Sequence, residues 1–291
     1  LALQMKIKQG DSRVTLVCGD NQQSLLMALF LKLRLRSKVG VQIQFHADTY
    51  SFSVNRGLKG FFRALLSRVG IVFADSIRIV SKFQEKDITA IWHKASDKFV
   101  LAPIPIEESK IASSQSSDKY DLVFIGRLHG ERGINELIEI IKALKSVRPE
   151  TSIAIAGNGP LQKLVAEELA MWIEDSSVSL LGFLDDYEIT NLYSETKVLV
   201  STAPREGYGL TLREAILSNV PVIARQSEGA LETKAAYPEG ISTFTTIEQA
   251  VELIMTKLAG VAQVQNPHLL EAQIQSDDAA MKRLTNAWLT L

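Results

Sequence analysis

The sequence predicts an α/β protein built on parallel sheets that helices cover on both faces. Short apolar runs of strand length alternate along the chain with segments whose apolar residues recur at helical spacing. Runs that are apolar throughout are typical of parallel strands, because a half-exposed strand alternates apolar with polar residues. The glycine-rich motifs follow these runs. Since ligands of parallel sheets bind beyond the carboxyl ends of strands, these motifs mark candidate binding loops.

The second half of the chain shows this alternation most clearly. Strands are predicted at residues 122–125, 153–156, 178–181, 198–200 and 220–224. The helix after the first strand carries Ile134, Leu137, Ile138, Ile141 and Leu144 on one face. A second helix is predicted to end near Trp172, and a third to run from about Asp186 to Glu195.

The first part of the chain is less regular, with strands predicted at residues 14–17, 41–45 and 77–80. The proline pair Pro103 and Pro105 indicates a boundary, and the serine-rich residues 111–119 are predicted to form a linker. We therefore predict two domains, residues 1–105 and residues 106–270. A C-terminal helix, about 271–291, is expected to return to the first domain.

The composition is that of an ordinary soluble enzyme, with 291 residues and 46% hydrophobic content. The single cysteine, Cys18, excludes an intrachain disulfide and fits a reducing compartment. Four histidines and one cysteine show no metal-ligand spacing, so neither a metal nor another cofactor is predicted. No signal peptide or membrane-spanning run is visible, and we predict a cytoplasmic protein.

Basic residues are concentrated in the first third of the chain. Residues 1–100 hold 16 Lys and Arg against 7 Asp and Glu, whereas the remaining residues hold 16 against 26. Basic and apolar residues interleave at 31–38 and 59–68. This pattern fits peripheral contact with an anionic membrane or acceptor, and it equally fits the solvated faces of amphipathic helices. Nucleic acid is not a predicted partner, because the pI is about 6.5 and no recognition motif is present.

Residues 204–215, with the sequence PREGYGLTLREA, carry the most specific chemistry. A Gly-x-Gly turn leads from an apolar strand into a helix, where backbone N–H groups and the helix start favour anions. Glu206 lies before the turn and Glu214 about one helical turn after it, so both carboxylates can face one ligand. Carboxylates accept hydrogen bonds from vicinal hydroxyls. A ligand with both phosphate and hydroxyl groups is therefore predicted, which indicates a nucleotide sugar.

This segment resembles the donor-site signature of retaining glycosyltransferases of the GT-B fold, in particular glycosyltransferase family 4. The resemblance runs from about Asp121 to Glu232 and, more faintly, from Val14 to Pro105. It implies two Rossmann-like domains, the first facing the acceptor and the second binding the nucleotide sugar. It also implies that a sugar moves from a nucleotide diphosphate to an acceptor hydroxyl with retained configuration and without a bound metal.

The resemblance assigns the donor contacts to the second domain. Arg127 matches an arginine that contacts the pyrophosphate, and Arg132 stands where the family usually has a lysine. Glu214 matches the glutamate that binds the ribose hydroxyls, and Glu206 the one near the hydroxyls of the transferred sugar. The residues of the turn that would face the sugar or phosphate are Gly207, Tyr208, Gly209 and Leu210.

Four further positions are assigned with less specific motifs. His46 follows a predicted strand and resembles the histidine that faces the transferred sugar, so His46 and Glu206 are the predicted catalytic residues. A histidine after a strand is also often structural. Gly157 and Gly159 are predicted to shape a loop beside the nucleotide, and the backbone around Phe183 to read the base.

The sequence leaves the sugar and the acceptor open, because residues 227–230 depart from the family's usual glycine pair. A glycan or lipid-linked acceptor is expected, in cell-surface polysaccharide or glycoconjugate synthesis at the inner face of the membrane. A non-catalytic nucleotide-sugar-binding remnant and a GT-B sugar epimerase remain alternatives. The chain starts at Leu1, and the family's opening strands and Gly-rich loop are not found before His46. An incomplete N-terminal domain is therefore expected.

Overall fold

The computed structural model describes residues 14–19, 22–35, 38–45, 49–51, 57–112, 116–260 and 268–290. The chain divides into two compact units, of which the first comprises Leu1–Ile104 with Gln275–Leu291 and the second comprises Pro105–Ile274. Each unit is built on one sheet whose described strand pairs are all parallel. The predicted α/β class with two parallel sheets is therefore confirmed.

The first unit has a four-stranded sheet with the order β1-β2-β3-β4 in its described residues. The strands are β1 (Val14–Cys18), β2 (Val39–Gln44), β3 (Ser76–Ile79) and β4 (Phe99–Leu101), and the helices between them are α1 (Gln22–Leu35), α2 (Gly57–Phe73) and α3 (Lys82–Ile91). Each crossover joins neighbouring parallel strands, and right-handed crossovers place successive helices on the same face. Helices α1 and α2 accordingly contact each other.

Buried polar side chains connect the strands of this unit, which an apolar strand pattern does not predict. Arg78 on β3 donates hydrogen bonds to the carbonyl oxygens of Ala102 (2.9 Å) and Pro103 (3.0 Å) and to Oε1 of Gln44 (3.2 Å). Burial lowers the pKa of the Arg78 guanidinium. These bonds satisfy the buried donors and hold the segment that follows β4 against the sheet.

Helix α11 (His268–Thr290) belongs to the first unit from Gln275 onward. Ala280 and Leu284 are buried there in a small apolar cluster with Ala102. Nε1 of Trp288 donates a hydrogen bond to Oε1 of Gln42 at 2.6 Å. The end of the described chain is thus attached to the first sheet by both packing and hydrogen bonding.

The second unit has a six-stranded sheet with the order β10-β9-β8-β5-β6-β7. Its strands are β5 (Tyr120–Ile125), β6 (Ile153–Ala156), β7 (Val178–Gly182), β8 (Thr196–Ser201), β9 (Val222–Arg225) and β10 (Ile241–Phe244). Its helices are α4 (Ile134–Val147), α5 (Gln162–Glu168), α6 (Ala170–Glu174), α7 (Asp186–Ser194), α8 (Leu210–Leu217), α9 (Glu228–Ala236) and α10 (Ile247–Ala259). Two apolar clusters cover the sheet, and neighbouring residues of β5 alternate between them.

The strand order reverses between β5 and β8. The chain moves outward from β5 through β6 to β7, then returns to the other side of β5 and continues outward through β8, β9 and β10. The connections on the two sides leave the sheet in opposite directions, so a crevice opens at the carboxyl ends of β5 and β8. This reversal positions the candidate site.

The observed elements differ from the sequence prediction in a few places. Strands β4 and β10 were not predicted, because β4 has only three residues and β10 contains Ser242 and Thr243. The predicted helix ending near Trp172 is two helices that meet at Leu169. Residues 113–115 of the predicted linker lie outside the described residues. Within the described part of the chain, every helix is too short or too polar to span a bilayer.

Asp121 ties three strands of the second sheet together at its amino edge. Its Oδ2 accepts a hydrogen bond from the backbone N–H of Ser152 (3.0 Å), and its Oδ1 pairs with Nζ of Lys197 (3.0 Å). Burial alone would raise the pKa of Asp121, but the bonds from Ser152 and the charge of Lys197 outweigh it and hold the pKa below its usual value.

A carboxyl group with a depressed pKa stabilises the fold above its unfolded pKa, and this stabilisation is lost as the pH falls through the folded pKa. We predict that Asp121→Asn lowers the free energy of unfolding at pH 7 by about 1–3 kcal/mol, as expected for hydrogen bonds to a charged group. The difference should shrink below about pH 4, near the unperturbed pKa of Asp. Urea unfolding at both pH values measures it.

Asp118→Asn is the matched control, because Asp118 is exposed and its ion pair among the described residues is a long one, 3.8 Å from Lys197. It should change stability by no more than about 0.5 kcal/mol. Equal effects of the two substitutions would show that Asp121 stabilises the fold only through its negative charge and not through its specific hydrogen bonds.

Candidate functional site

The loops that follow β5 and β8 are in direct backbone contact. Gly133 has a left-handed backbone (φ 67°), and a Cβ atom there would lie 2.0 Å from the carbonyl oxygen of Thr202. Oγ1 of Thr202 donates a hydrogen bond to the carbonyl oxygen of Arg132 at 2.8 Å. No other residue fits at position 133 without moving one loop away from the other.

The loop after β6 packs against the loop after β5 in the same way. A Cβ atom at Gly157 (φ 129°) would lie 2.0 Å from the carbonyl oxygen of Gly126, and one at Gly159 would lie 2.3 Å from that of Leu128. Leu128 N–H donates to the carbonyl oxygen of Asn158 at 2.9 Å. Gly157 and Gly159 are thus at the predicted edge and hold the two loops together; whether they border a nucleotide stays a prediction.

The Gly-x-Gly turn leads into α8 through Gly209, which is left-handed (φ 74°) and caps the helix. Tyr208 is buried, with the guanidinium of Arg213 stacked 4.2 Å from its ring centre, and Nε of Arg213 donates to the Tyr208 carbonyl oxygen at 3.1 Å. The space at Gly207 is open. Leu210 begins α8. The contacts between Tyr208 and Arg213 fix the turn, and Gly207 stays accessible.

Glu206 is held by contacts from two other loops. Its Oε2 pairs with Nη1 of Arg132 at 3.0 Å, and only 13% of its side chain is exposed. A Cβ atom at Gly229, in the first turn of α9, would lie 2.4 Å from the carbonyl oxygens of both Glu206 and Gly207. In the sequence, residues 227–230 stand out only as a departure from the family's usual glycine pair. A glycine four residues after the end of β9 was the signal for this contact.

Glu214 occupies a different environment, one turn into α8. Its Oε2 lies 3.5 Å from the hydroxyl of Tyr193. Burial raises the pKa of Glu214; the charge of Lys110 opposes this rise, and that of Asp186 adds to it. Burial and the nearby carboxylate also raise the pKa of Tyr193.

Lys110 is shared among several carboxylates. It pairs with Asp186 at 3.4 Å and with Glu107 at 3.7 Å. Burial lowers the pKa of Lys110, but Asp186, Glu107 and Glu214 outweigh it, so the net change is upward. Sequence reasoning missed Lys110, Asp186 and Tyr193 as neighbours of Glu214, because no motif spacing links residues so far apart in the chain.

The remaining predicted residues lie at the same edge of the sheet or outside the described part. Arg127 follows β5, is 71% exposed and pairs with Glu131 one turn later. Phe183 follows β7 and is 76% exposed. His46 lies outside the described residues. Arg127 and Phe183 therefore present exposed side chains to any ligand at this edge.

A pocket of about 150 Å³ lies at the opposite edge of this sheet. Val220, Pro221 and Gly240, which precede β9 and β10, line it. Ligands of doubly wound sheets bind at the carboxyl edge. The charged groups described above lie at that edge, and the candidate site is therefore the open surface there rather than this pocket. Within the described residues, no group of three or more His, Cys, Asp or Glu side chains could hold a metal ion.

Residues 105–260 match the sequence profile of the glycosyl transferases group 1 family, which is more than half of the chain. The chain belongs to this family. Among relatives of this group 1 glycosyltransferase is YqgM of Bacillus subtilis, described as an uncharacterized glycosyltransferase. The two are 26% identical over 250 residues, which cover 84% of this chain and 68% of YqgM.

Solved structures that share the fold of this group 1 glycosyltransferase include TarM and HepE. TarM of S. aureus, solved with UDP and α-GlcNAc-glycerol, has a TM-score of 0.70 and 15% identity over 94% of this chain and 55% of TarM. HepE of Anabaena, solved with UDP-glucose, has a TM-score of 0.71 and 15% identity over 93% of this chain and 79% of HepE. The predicted GT-B fold is confirmed, and the chain spans about half the length of TarM.

The raised pKa of Glu214 has a measurable consequence for stability. Above its folded pKa, the protein holds a carboxylate that is less well solvated than in the unfolded chain, so the group reduces stability; below the unfolded pKa it has no effect. We predict that Glu214→Gln raises the midpoint of thermal unfolding at pH 7.5 and that this gain disappears as the pH approaches 4. Scanning calorimetry across this pH range measures both.

Glu139→Gln is the control, since Glu139 is an exposed carboxylate on α4. Its midpoint should match that of the unsubstituted protein at every pH. A lower midpoint for Glu214→Gln at pH 7.5 would mean that Lys110 and Tyr193 stabilise the carboxylate more than burial destabilises it.

Proposed function

We propose that this protein transfers a sugar from a nucleotide-diphosphate sugar to an acceptor hydroxyl with retention of the anomeric configuration. One observation carries the proposal. At the reversal of strand order, where doubly wound sheets bind ligands, the family's donor motif places Glu206, Glu214 and the start of α8 beside the loop that carries Arg127 and Arg132.

The two glutamates suit different parts of a donor. Among the described residues, the hydrogen bond that Glu214 accepts is a long one from Tyr193, and burial leaves the carboxylate poorly solvated. Ribose hydroxyls would supply the missing donors. Glu206 lies next to the open turn at Gly207 and would accept hydrogen bonds from hydroxyls of the transferred sugar.

The diphosphate would lie between the arginine-bearing loop and the start of α8. Arg127 is exposed and paired only with a neighbouring surface carboxylate in the described structure, so it can turn to phosphate oxygens at little cost. A guanidinium binds phosphate through paired hydrogen bonds. The N–H groups at the start of α8, at Leu210 and the preceding Gly209, would add backbone donors and a favourable dipole.

Departure of the diphosphate leaves negative charge, which Arg127, Arg132 and the amides at the start of α8 would stabilise. A covalent glycosyl-enzyme needs a carboxylate at the anomeric face. Glu206, which Arg132 holds, is assigned instead to the hydroxyls of the sugar. Attack by the acceptor on the face that the diphosphate leaves, assisted by the departing phosphate, accounts for retention. His46 keeps its proposed role facing the transferred sugar.

We predict that Arg127→Ala weakens binding of a nucleoside diphosphate about ten- to a hundredfold, the range for hydrogen bonds to charged groups, while binding of the bare nucleoside is unchanged. Titration calorimetry with UDP, GDP and ADP, and with the matching nucleosides, measures both. In the same assay, Glu214→Gln should weaken the binding of the nucleoside as well as that of the diphosphate, because both ligands contain the ribose.

Arg148→Ala is the control, because Arg148 forms an arginine–carboxylate pair with Glu150 after α4, at the amino edge of the sheet. It should leave both affinities unchanged. Equal losses for nucleoside and diphosphate in Arg127→Ala would contradict the phosphate assignment. Product analysis with a panel of nucleotide sugars then separates transfer from an epimerised donor and from binding alone.

We extend the proposal to a peripheral membrane contact through the first unit. Helix α2 is packed with its small residues inward, since Gly60, Ala64, Ser67 and Gly70 are buried. Of its large apolar residues, Ile71 is buried, whereas Leu58, Phe61, Phe62, Leu65, Val69, Val72 and Phe73 are exposed by 36–80%. On the adjacent α1, the exposed apolar residues are Leu26, Met27, Phe30 and Leu33. We call these residues the apolar face of α1 and α2.

Charge indicates which partner covers this face. Neither α1 nor α2 contains an acidic residue, whereas Arg34, Lys59 and Arg63 are exposed on them. A surface of apolar side chains flanked by cations binds an anionic membrane. The apolar side chains insert into the interface, and the cations pair with lipid headgroups. A membrane surface is therefore the proposed partner, and it would bring a lipid-linked or glycan acceptor of cell-surface polysaccharide synthesis within reach.

We predict that the protein co-sediments with vesicles of phosphatidylcholine and phosphatidylglycerol, but not with phosphatidylcholine alone, and that added salt weakens the binding. Phe62→Asp should weaken it by about tenfold or more, because it removes an inserted aromatic side chain and adds a repelled charge. Met171→Asp is the matched control, since Met171 is equally exposed on the second unit.

Two results would contradict the membrane contact. One is equal sedimentation of both variants with both vesicles. The other is a stable dimer in size-exclusion chromatography that Phe62→Asp dissociates, which would identify a second copy of the chain as the partner of the apolar face.

A further inference from the structure

The ion pair between Arg132 and Glu206 joins two loops that are far apart in sequence. Nη1 of Arg132 lies 3.0 Å from Oε2 of Glu206, and their side chains are 33% and 13% exposed. Nε of Arg132 is buried and has no hydrogen-bond partner among the described residues. The arginine is therefore held against the carboxylate at the cost of one unsatisfied donor, and it has unused hydrogen-bonding capacity.

The backbone on both sides keeps this pair together. The Arg132 carbonyl oxygen accepts a hydrogen bond from Thr202, and the next residue, Gly133, is in contact with the Thr202 backbone. The Glu206 carbonyl oxygen is in contact with Gly229. Because these contacts fix the main chain, the side chains of Arg132 and Glu206 form their ion pair whenever no ligand separates them.

We propose that the Arg132–Glu206 pair is a latch that makes the site prefer an intact nucleotide sugar to the free nucleoside diphosphate. The inference rests on the proposed function, because it takes a nucleotide sugar as the donor. A diphosphate that draws the guanidinium of Arg132 away from Glu206 weakens the pair and offers the Glu206 carboxylate no hydroxyl in return. An intact donor offers phosphate to Arg132 and hydroxyls to Glu206, so both groups exchange one partner for another.

The latch has a consequence for turnover. Once the sugar has been transferred, the product diphosphate no longer supplies hydroxyls to Glu206. The carboxylate then competes with the product for Arg132. Re-formation of the pair therefore weakens product binding and favours release. Arginine suits this role, because its planar fork can turn between a carboxylate and a phosphate while it keeps its charge.

The test is Glu206→Gln, which removes the charge of the carboxylate and keeps the shape of the side chain. Freed from its partner, Arg132 should bind a nucleoside diphosphate more tightly, by about two- to fivefold, the factor that corresponds to a partly exposed ion pair. Binding of the corresponding nucleotide sugar should not tighten. Titration calorimetry with the tightest-binding diphosphate of UDP, GDP and ADP, and with its glucose conjugate, measures both affinities.

Glu150→Gln is the matched control. It breaks the pair between Arg148 and Glu150, which are 2.9 Å apart at the amino edge of the same sheet. Both affinities should be unchanged in this variant. Should Glu206→Gln fail to fold, Glu206→Ala removes the same carboxylate and is expected to have the same effect on the diphosphate.

The possible outcomes separate the two proposals. If neither the unsubstituted protein nor the variants bind any diphosphate, the proposed function falls and the latch with it. If the unsubstituted protein binds a diphosphate and Glu206→Gln binds it equally or more weakly, the latch alone is overturned. Tighter binding of the diphosphate by Glu206→Gln, with no gain for the nucleotide sugar, supports the latch.

Discussion

Close backbone contact between loops at the carboxyl edge of the second sheet sets the positions of the charged groups in the candidate site. Gly133, Gly157 and Gly229 each lie where a Cβ atom would come within 2.4 Å of a carbonyl oxygen of another loop. At these distances a side chain of any size would push the loops apart. The charged residues lie next to these glycines in the chain. Their positions are therefore set by a main chain that has little room to move.

The two carboxylates carried by this turn and helix, Glu206 and Glu214, lie in contrasting environments. Glu206 has a guanidinium at 3.0 Å, whereas Glu214 has a phenol at 3.5 Å and shares Lys110 with two other carboxylates. Glu206 is therefore already paired, and Glu214 is buried with incomplete compensation. A buried carboxylate without full compensation lowers the free energy of unfolding. Such groups are typical of binding sites, where a ligand completes their hydrogen bonds.

The first unit distributes polarity in an unusual way. Polar side chains of β2 and β3 are buried in a network around Arg78, while large apolar side chains of α1 and α2 face outward. The inner network is satisfied by backbone carbonyl oxygens, so it needs no further partner. The apolar face of α1 and α2 has no such compensation in water, and this is why a partner surface is expected there rather than at the sheet.

The sequence by itself determined the α/β class, the parallel sheets and the segment at residues 204–215, because strand and helix periods and turn glycines are local properties. It predicted most strands of the second unit to within two residues at each end. Only the tertiary structure decided that Arg132 faces Glu206, that Gly229 supports the turn, and that Lys110 and Tyr193 surround Glu214. These contacts join residues 21 to 104 positions apart, and the packing of loops and helices around the second sheet brings them together, which no local pattern records.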